Sequence, residues 1–214
     1  MTSYQAVILD FDNVILESVD AKTKAFAELF ADYPQYVEEI IHFHIDNGGM
    51  SRFDKFRYIY KHIMKKPLTE ARFQQLCDDF SRIVYHRVLE SPFVPGIEEF
   101  LKYHHTRHDL YVVSATPEEE IRSIVVALDL MPYFKGVFGS PTKKGEHATR
   151  IIVSRGYDPK AVLFIGDARS DYEASRTAGC DFIGRVPQNG PNRFEGLPKI
   201  RAIIQDFTEI EVYL

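Results

Sequence analysis

Ala6-Val-Ile-Leu9 runs directly into Asp10-Phe11-Asp12 in this 214-residue chain. Four consecutive apolar residues predict a short strand buried on both faces, of the kind found in sheets covered by helices on each side. Such a strand delivers Asp10 and Asp12 at its carboxyl end. With one residue between them, their side chains share a face if the strand stays regular. Converging carboxylates repel one another unless a cation sits among them.

On the C-terminal side of this strand the texture changes. Residues 17–91 hold no strand-like run, and apolar residues recur at helical spacing. Phe26, Leu29 and Phe30 mark one helix, stopped by Pro34, and Val37, Ile40, Ile41 and Phe43 mark a second, closed by Gly48-Gly49. Phe53, Phe56, Ile59, Tyr60 and Ile63 predict a third, ending before Pro67. A fourth carries Phe73, Leu76, Phe80, Ile83 and Val84, with Thr69 as its N-cap. After Pro95-Gly96 helices and strands alternate. Helices are expected over 97–105, 118–129, 146–155 and 172–178, and strands at 110–113, 137–138, 161–165, 182–183 and 200–204. The pattern predicts an α/β protein: a doubly wound parallel-sheet core of residues 1–15 and 92–214, interrupted by a helical bundle over 16–91. In such sheets ligands sit beyond the carboxyl ends of the strands, so polar residues that directly follow apolar runs matter most.

Composition narrows the functional classes. Lys and Arg number 26 against 31 Asp and Glu, a net charge of −5 that argues against a nucleic-acid surface. A local cluster of Lys or Arg still leaves acidic small molecules open as substrates. The longest apolar runs, Ile124–Leu128 and Ala161–Ile165, are five residues, far short of the roughly 18–20 that span a bilayer. The two aspartates arrive before a signal-peptide core has room to form, and Cys77 and Cys180 stand far apart. A cytoplasmic protein with two reduced thiols is expected.

Three predicted strands end in chemistry. The first gives Asp10 and Asp12, the second gives Ser114 after Val112-Val113, and the third gives Gly166-Asp167 with Asp171 beyond. Lys143 and Lys144 precede a helix in the intervening segment. The carboxylates Asp10, Asp12, Asp167 and Asp171 supply hard oxygen ligands that suit Mg²⁺ rather than zinc. A lysine and a hydroxyl beside that cation suit the oxygens of a phosphoryl group, whose transfer depends mainly on charge neutralisation and in-line positioning. Each residue alone has an ordinary structural reading as a turn former, helix cap or solvated side chain. Their joint order is what carries the signal.

In that order the chain resembles the haloacid dehalogenase superfamily, in the subfamily with a helical cap inserted after the first strand. The motifs are Asp10-Phe-Asp12-Asn-Val-Ile-Leu-Glu-Ser18, Ser114 in Val-Val-Ser-Ala-Thr116, the Lys143-Lys144 pair before Gly145-Glu146, and Ile165-Gly-Asp167-Ala-Arg-Ser-Asp171. Lys144 is favoured over Lys143 because Glu146 matches the family's helix start. Asn13 replaces the glycine of many relatives, and asparagine tolerates left-handed backbone.

The resemblance implies a phosphatase of the phosphoglycolate phosphatase-like type, acting on a small phosphorylated metabolite, as a monomer or homodimer, away from nucleic acid and membrane. Asp10 is then the nucleophile that becomes an aspartyl phosphate, and Asp12 the acid and base that serves the leaving alkoxide and then the water. Ser114, the backbone around Ala115 and Lys144 bind the phosphoryl oxygens. Asp10, Asp167, Asp171 and the backbone carbonyl of Asp12 hold Mg²⁺. Retention of Asp12 separates the chain from dehalogenases and phosphonatase-type relatives. A sugar-phosphate mutase of the β-phosphoglucomutase type keeps both aspartates and stays open, as does a non-catalytic phospho-ligand-binding protein. Within the insert, the Gly48-Gly49 turn followed by Ser51, Arg52 and Lys55 places Arg52 and Lys55 as candidate specificity residues, with Ser51 either an N-cap or a ligand. His42 and His44, two apart, share no helix face and read as ordinary side chains.

Overall fold

The computed structural model describes residues 4–188 and 190–214. Six parallel strands, β1 (Ala6–Leu9), β2 (Asp109–Pro117), β3 (Gly136–Ser140), β4 (Val162–Gly166), β5 (Asp181–Arg185) and β6 (Ala202–Ile204), lie in the order β3-β2-β1-β4-β5-β6. The order runs outward in both directions from the β1/β4 pair, so the chain reverses its winding there and leaves a crevice beyond the ends of those two strands.

Strand alternation sorts the core into two layers. Ala6 and Ile8 join Tyr111, Val113, Val162, Phe164 and Phe182 in one cluster, covered by α7 (Lys144–Arg155) and α8 (Arg169–Ala178). Val7, Leu9, Leu110, Val112, Leu163, Ile165 and Ile183 face the opposite layer, with α5 (Ile97–His104) and α6 (Glu118–Ala127). That second layer continues without a break into the helical insert.

The insert holds α1 (Val19–Leu29), α2 (Pro34–Asp46), α3 (Arg52–Tyr58), which runs on as a π-helical turn over Ile59–Ile63, and α4 (Glu70–Leu89). Pro34 occupies the first position of α2, where its missing N–H costs nothing. Thr69 caps α4 by accepting from the Arg72 N–H, and Ser51 caps α3 by accepting from Asp54 N–H. Phe26, Phe30, Phe56 and Phe80 form the aromatic centre of the bundle. The two crossings between insert and core run side by side: Glu17 N–H donates to Pro92 O at 2.9 Å, and Val94 N–H donates to Ile15 O at 3.0 Å.

Gly139 shows how closely β3 is held to β2. A Cβ there would lie 2.4 Å from Thr116 O and 2.6 Å from the Glu118 backbone. Gly139→Ala is therefore expected to push these strand ends apart and cost about 1–3 kcal/mol, read as a lower urea midpoint with an unchanged slope.

Candidate active site

Asp10 leaves β1 buried at 3 % exposure, with its Oδ1 accepting from the Phe11 N–H at 2.7 Å. The tight turn that follows needs left-handed backbone at Asn13, with φ of 53°, which asparagine supplies at low cost. From the end of β4 come Asp167 and the Asp171 carboxylate, the latter fully buried in the first turn of α8, where its Oδ2 accepts from the Ala168 N–H at 3.0 Å. Gly166 is required here, since a Cβ would stand 2.2 Å from that of Asp171. Of the two adjacent lysines, Lys144 is the first residue of α7 and points into the site, while Lys143 is its N-cap. Lys144 Nζ lies 2.8 Å from Asp10 Oδ2 and 2.6 Å from Asp171 Oδ1.

Asp10, Asp167 and Asp171 can each offer one carboxylate oxygen within 4.8 Å of the others. Burial, then repulsion from Asp171, raises Asp10 to about 7 against the opposing pull of Lys144. Burial and Asp10 do the same to Asp167, also to about 7. Asp171 is likewise raised by burial, although Lys144 draws it down. Burial alone would lower Lys144, but the two carboxylates beside it more than offset this and hold its proton firmly. The cluster is thus short of positive charge, the condition a divalent cation relieves.

Asp12 belongs to a different environment. Its Oδ1 accepts from Ser18 Oγ at 2.5 Å and its Oδ2 contacts the Lys22 ammonium, which also donates to Thr116 Oγ1 at 2.9 Å. Burial pushes Asp12 up, yet Lys22 and the hydrogen bonds outweigh it and keep the carboxyl below its usual range. Two aspartates one residue apart are therefore driven in opposite directions, the separation expected of groups with different chemical roles.

A cavity of about 310 Å³ opens between these strand ends and the insert. Ala115 and Thr116 line it. Ser114 is fully buried beneath them, and its Oγ accepts from the Thr116 N–H at 3.1 Å. From the insert come Arg52, Lys55 and His44. Arg52 is bidentate to Glu120 of α6, with NH1 at 2.8 Å and NH2 at 2.5 Å, and NH1 also donates to Ser81 Oγ. Lys55 Nζ donates to His44 O at 3.1 Å and lies 3.0 Å from His44 Nδ1. Burial and Lys55 together lower His44 to about 3, so its ring is neutral and accepts at Nδ1. Lys22, Thr116 and Glu120 were not singled out from sequence, and His44, read there as an ordinary side chain, lines the cavity. Only Thr116, two residues beyond Ser114 on the same strand face, carried a local signal.

The chain matches the family described as haloacid dehalogenase-like hydrolase over residues 7–185. Phosphoglycolate phosphatase of Haemophilus influenzae (strain ATCC 51907 / DSM 11121 / KW20 / Rd) is 24% identical over 192 residues, covering 86% of each protein. Among solved structures, a predicted phosphoglycolate phosphatase from Haemophilus somnus 129pt has a TM-score of 0.78 at 20% identity, covering 98% of this chain and 97% of that one. CbbY from Rhodobacter sphaeroides, in complex with phosphate, has a TM-score of 0.76 at 15% identity, covering 97% and 96%. No helix among the described residues is long and apolar enough to cross a membrane.

Two expectations follow from the charges in the insert. Glu120→Ala leaves the buried Arg52 guanidinium without a counter-ion and is expected to cost about 3 kcal/mol, part of which is recovered when Arg52→Met is added. Urea unfolding of both single variants and the double measures this. Lys55 is lowered to about 7, by burial first and by Lys22 second, against 10.5 in the unfolded chain. Its burial penalty is full below that lower value and is relieved as pH rises toward the upper one, because the unfolded chain alone then holds the proton. The stability of Lys55→Met relative to the native protein should therefore be greatest near about pH 6 and decline toward about pH 10. A difference that does not vary with pH would contradict a buried ammonium at this position.

Proposed function

Because the chain belongs to the haloacid dehalogenase-like hydrolase family, we propose that it is a Mg²⁺-dependent phosphatase of a small phosphorylated metabolite, working through an aspartyl phosphate on Asp10. The observation that carries this reading is the opposite treatment of Asp10 and Asp12: one buried among carboxylates and Lys144, the other ionised against Lys22 and Ser18. A binding protein has no use for that separation, whereas a nucleophile and a proton-transfer group need it.

The three clustered carboxylates fit Mg²⁺ by donor type and by their convergence. Asp10 and Asp167 would hold it directly, with Asp171 in support and the backbone carbonyl of Asp12 completing the protein's share. When bound, Mg²⁺ neutralises phosphoryl charge and allows a carboxylate to approach a phosphate dianion. Lys144 would bind a phosphoryl oxygen from the other side, while its contact with Asp171 fixes the side chain in place. Ser114 would organise the turn from below, and the N–H groups at Ala115 and Thr116, with the Thr116 hydroxyl, would meet the remaining oxygens.

In the first step an Asp10 oxygen attacks phosphorus and the bond to the leaving oxygen breaks. Asp12, which must take up a proton as the substrate enters, passes it to the alkoxide, while its contacts with Lys22 and Ser18 hold the side chain in place. In the second step water attacks the acyl phosphate, its proton goes to the Asp12 carboxylate, and the Asp10 carboxylate is regenerated. The helical insert over 16–91 acts as the cap that covers the cavity and selects among esters. The relatives named phosphoglycolate phosphatase support a short phosphorylated acid rather than a sugar phosphate as the candidate substrate. The two buried, unpaired thiols suit a cytoplasmic setting.

Phosphate release from a panel of phosphorylated metabolites, with Mg²⁺ or EDTA, tests the reading. Release should require Mg²⁺ and fall by at least about 10³-fold in Asp10→Asn. Undiminished release by that variant would overturn the mechanism, and isomerisation without release would identify a mutase.

A further inference from the structure

A second basic surface lies on the insert, away from the cavity at the strand ends. It is an open recess of about 500 Å³ where the π-helical turn after α3 meets the first turn of α4, and none of its lining residues lines the cavity. Tyr60 and Phe73, 4 % and 7 % exposed, contribute its buried side. Arg57, Lys61, Lys65 and Lys66 stand around it against a single acid, Glu70.

The local backbone gathers these cations. The widened turn closes with Met64 N–H donating to Ile59 O and Lys66 N–H donating to Tyr60 O, both at 2.9 Å. Between them Lys65 takes left-handed backbone, with φ of 53°, where glycine is the usual residue. The chain turns back there, so Lys65 and Lys66 join the recess that Arg57 and Lys61 line from the helix. Rings steady two of the heads: the Arg57 guanidinium lies 4.2 Å from the centre of Phe73, and Lys66 Nζ lies 4.8 Å from that of Tyr33.

The protein leaves this charge unanswered. None of the ion pairs that the insert makes among the described residues involves any of the four cations. Glu70 sits in the first turn of α4, where it faces the positive end of that helix's own dipole. The negative end of the helix that carries Lys61 is worth roughly half a charge, which one lysine more than meets. Tyr60 adds a donor: its hydroxyl accepts from Arg72 Nε at 3.1 Å, and no acceptor among the described residues takes its own proton. Four cations and an O–H around one concavity complement an anion with several oxygens. One phosphate group carries about −1.5 to −2, short of the excess of three that four cations leave over one acid.

We propose that this recess is a second ligand site and that it takes a small anion of two or more linked phosphates. The site is independent of the phosphatase reading, because no residue of the strand-end cluster takes part in it.

Calorimetry of tripolyphosphate and of orthophosphate with the full chain in EDTA tests the proposal, since no metal is then present to draw either anion to the aspartates. Tripolyphosphate should bind about 10-fold or more tightly than orthophosphate. Lys61→Ala combined with Lys65→Gly should weaken tripolyphosphate by about 10-fold or more. Alanine suits a helix and glycine suits the left-handed turn, so this pair removes two charges without disturbing the fold. Lys66→Gln, beyond the turn, gives a loss in the same direction should that pair disturb it. Lys24→Ala combined with Lys199→Gly removes equal charge from α1 and from another left-handed position, and should leave the affinity within about 2-fold. No binding by the native protein, equal affinity for the two anions, binding unmoved by the recess variants, or an equal loss in the matched control would each overturn the proposal.

Discussion

The Lys144 ammonium, set between Asp10 and Asp171, is the contact on which the site depends. It joins α7 to the end of β1 and to the first turn of α8, so three separate parts of the chain meet in one charge. Without it, three carboxylates would converge in a buried space with nothing to offset their repulsion. Even with it, Asp10 and Asp167 are held near about 7. The fold thus builds a centre whose carboxylates are under-neutralised, and the compensation it lacks is the positive charge that a divalent cation would bring. Stability is conceded at this point for reactivity.

The main-chain architecture and the convergence of the carboxylates were legible from sequence for the same reason. In a parallel sheet, a residue that follows an apolar run has one place to go, the carboxyl edge, and the topology brings those edges together whatever the loops between them do. Asp10 and Asp167 needed no knowledge of long-range contacts, whereas Lys144 was favoured over Lys143 on the family's helix start. Helix limits were legible where caps and prolines mark them, as at Thr69 and Pro34. The π-helical turn at Ile59–Ile63 was not, because its apolar residues satisfy helical spacing whether the turn is regular or widened.

Apart from the Lys55–His44 contact inside the insert, the contacts that escaped the sequence cross between insert and core. Arg52 and Glu120 are 68 residues apart, and Lys22 and Thr116 are 94. No periodicity predicts such a pair, because its geometry is set by how the helical bundle seats on the sheet. The seat itself is apolar and continuous: Phe11, Val14, Ile15 and Leu16 carry the core layer from β1 into the bundle. A basic residue at the start of an insert helix looks from sequence like a ligand-binding group. The structure shows Arg52 with both terminal guanidinium nitrogens committed to α6.

That commitment changes how specificity should be sought in this architecture. Counting basic residues around the cavity would suggest a strongly cationic pocket, yet Arg52, Arg185 and Lys22 are each answered by an acid on the opposite side of the insert–core boundary. These pairs hold the two parts in register and contribute little net potential. Among the described residues Lys55 is the buried lysine with no carboxylate within 4.0 Å, whereas Lys144 is shared between two aspartates.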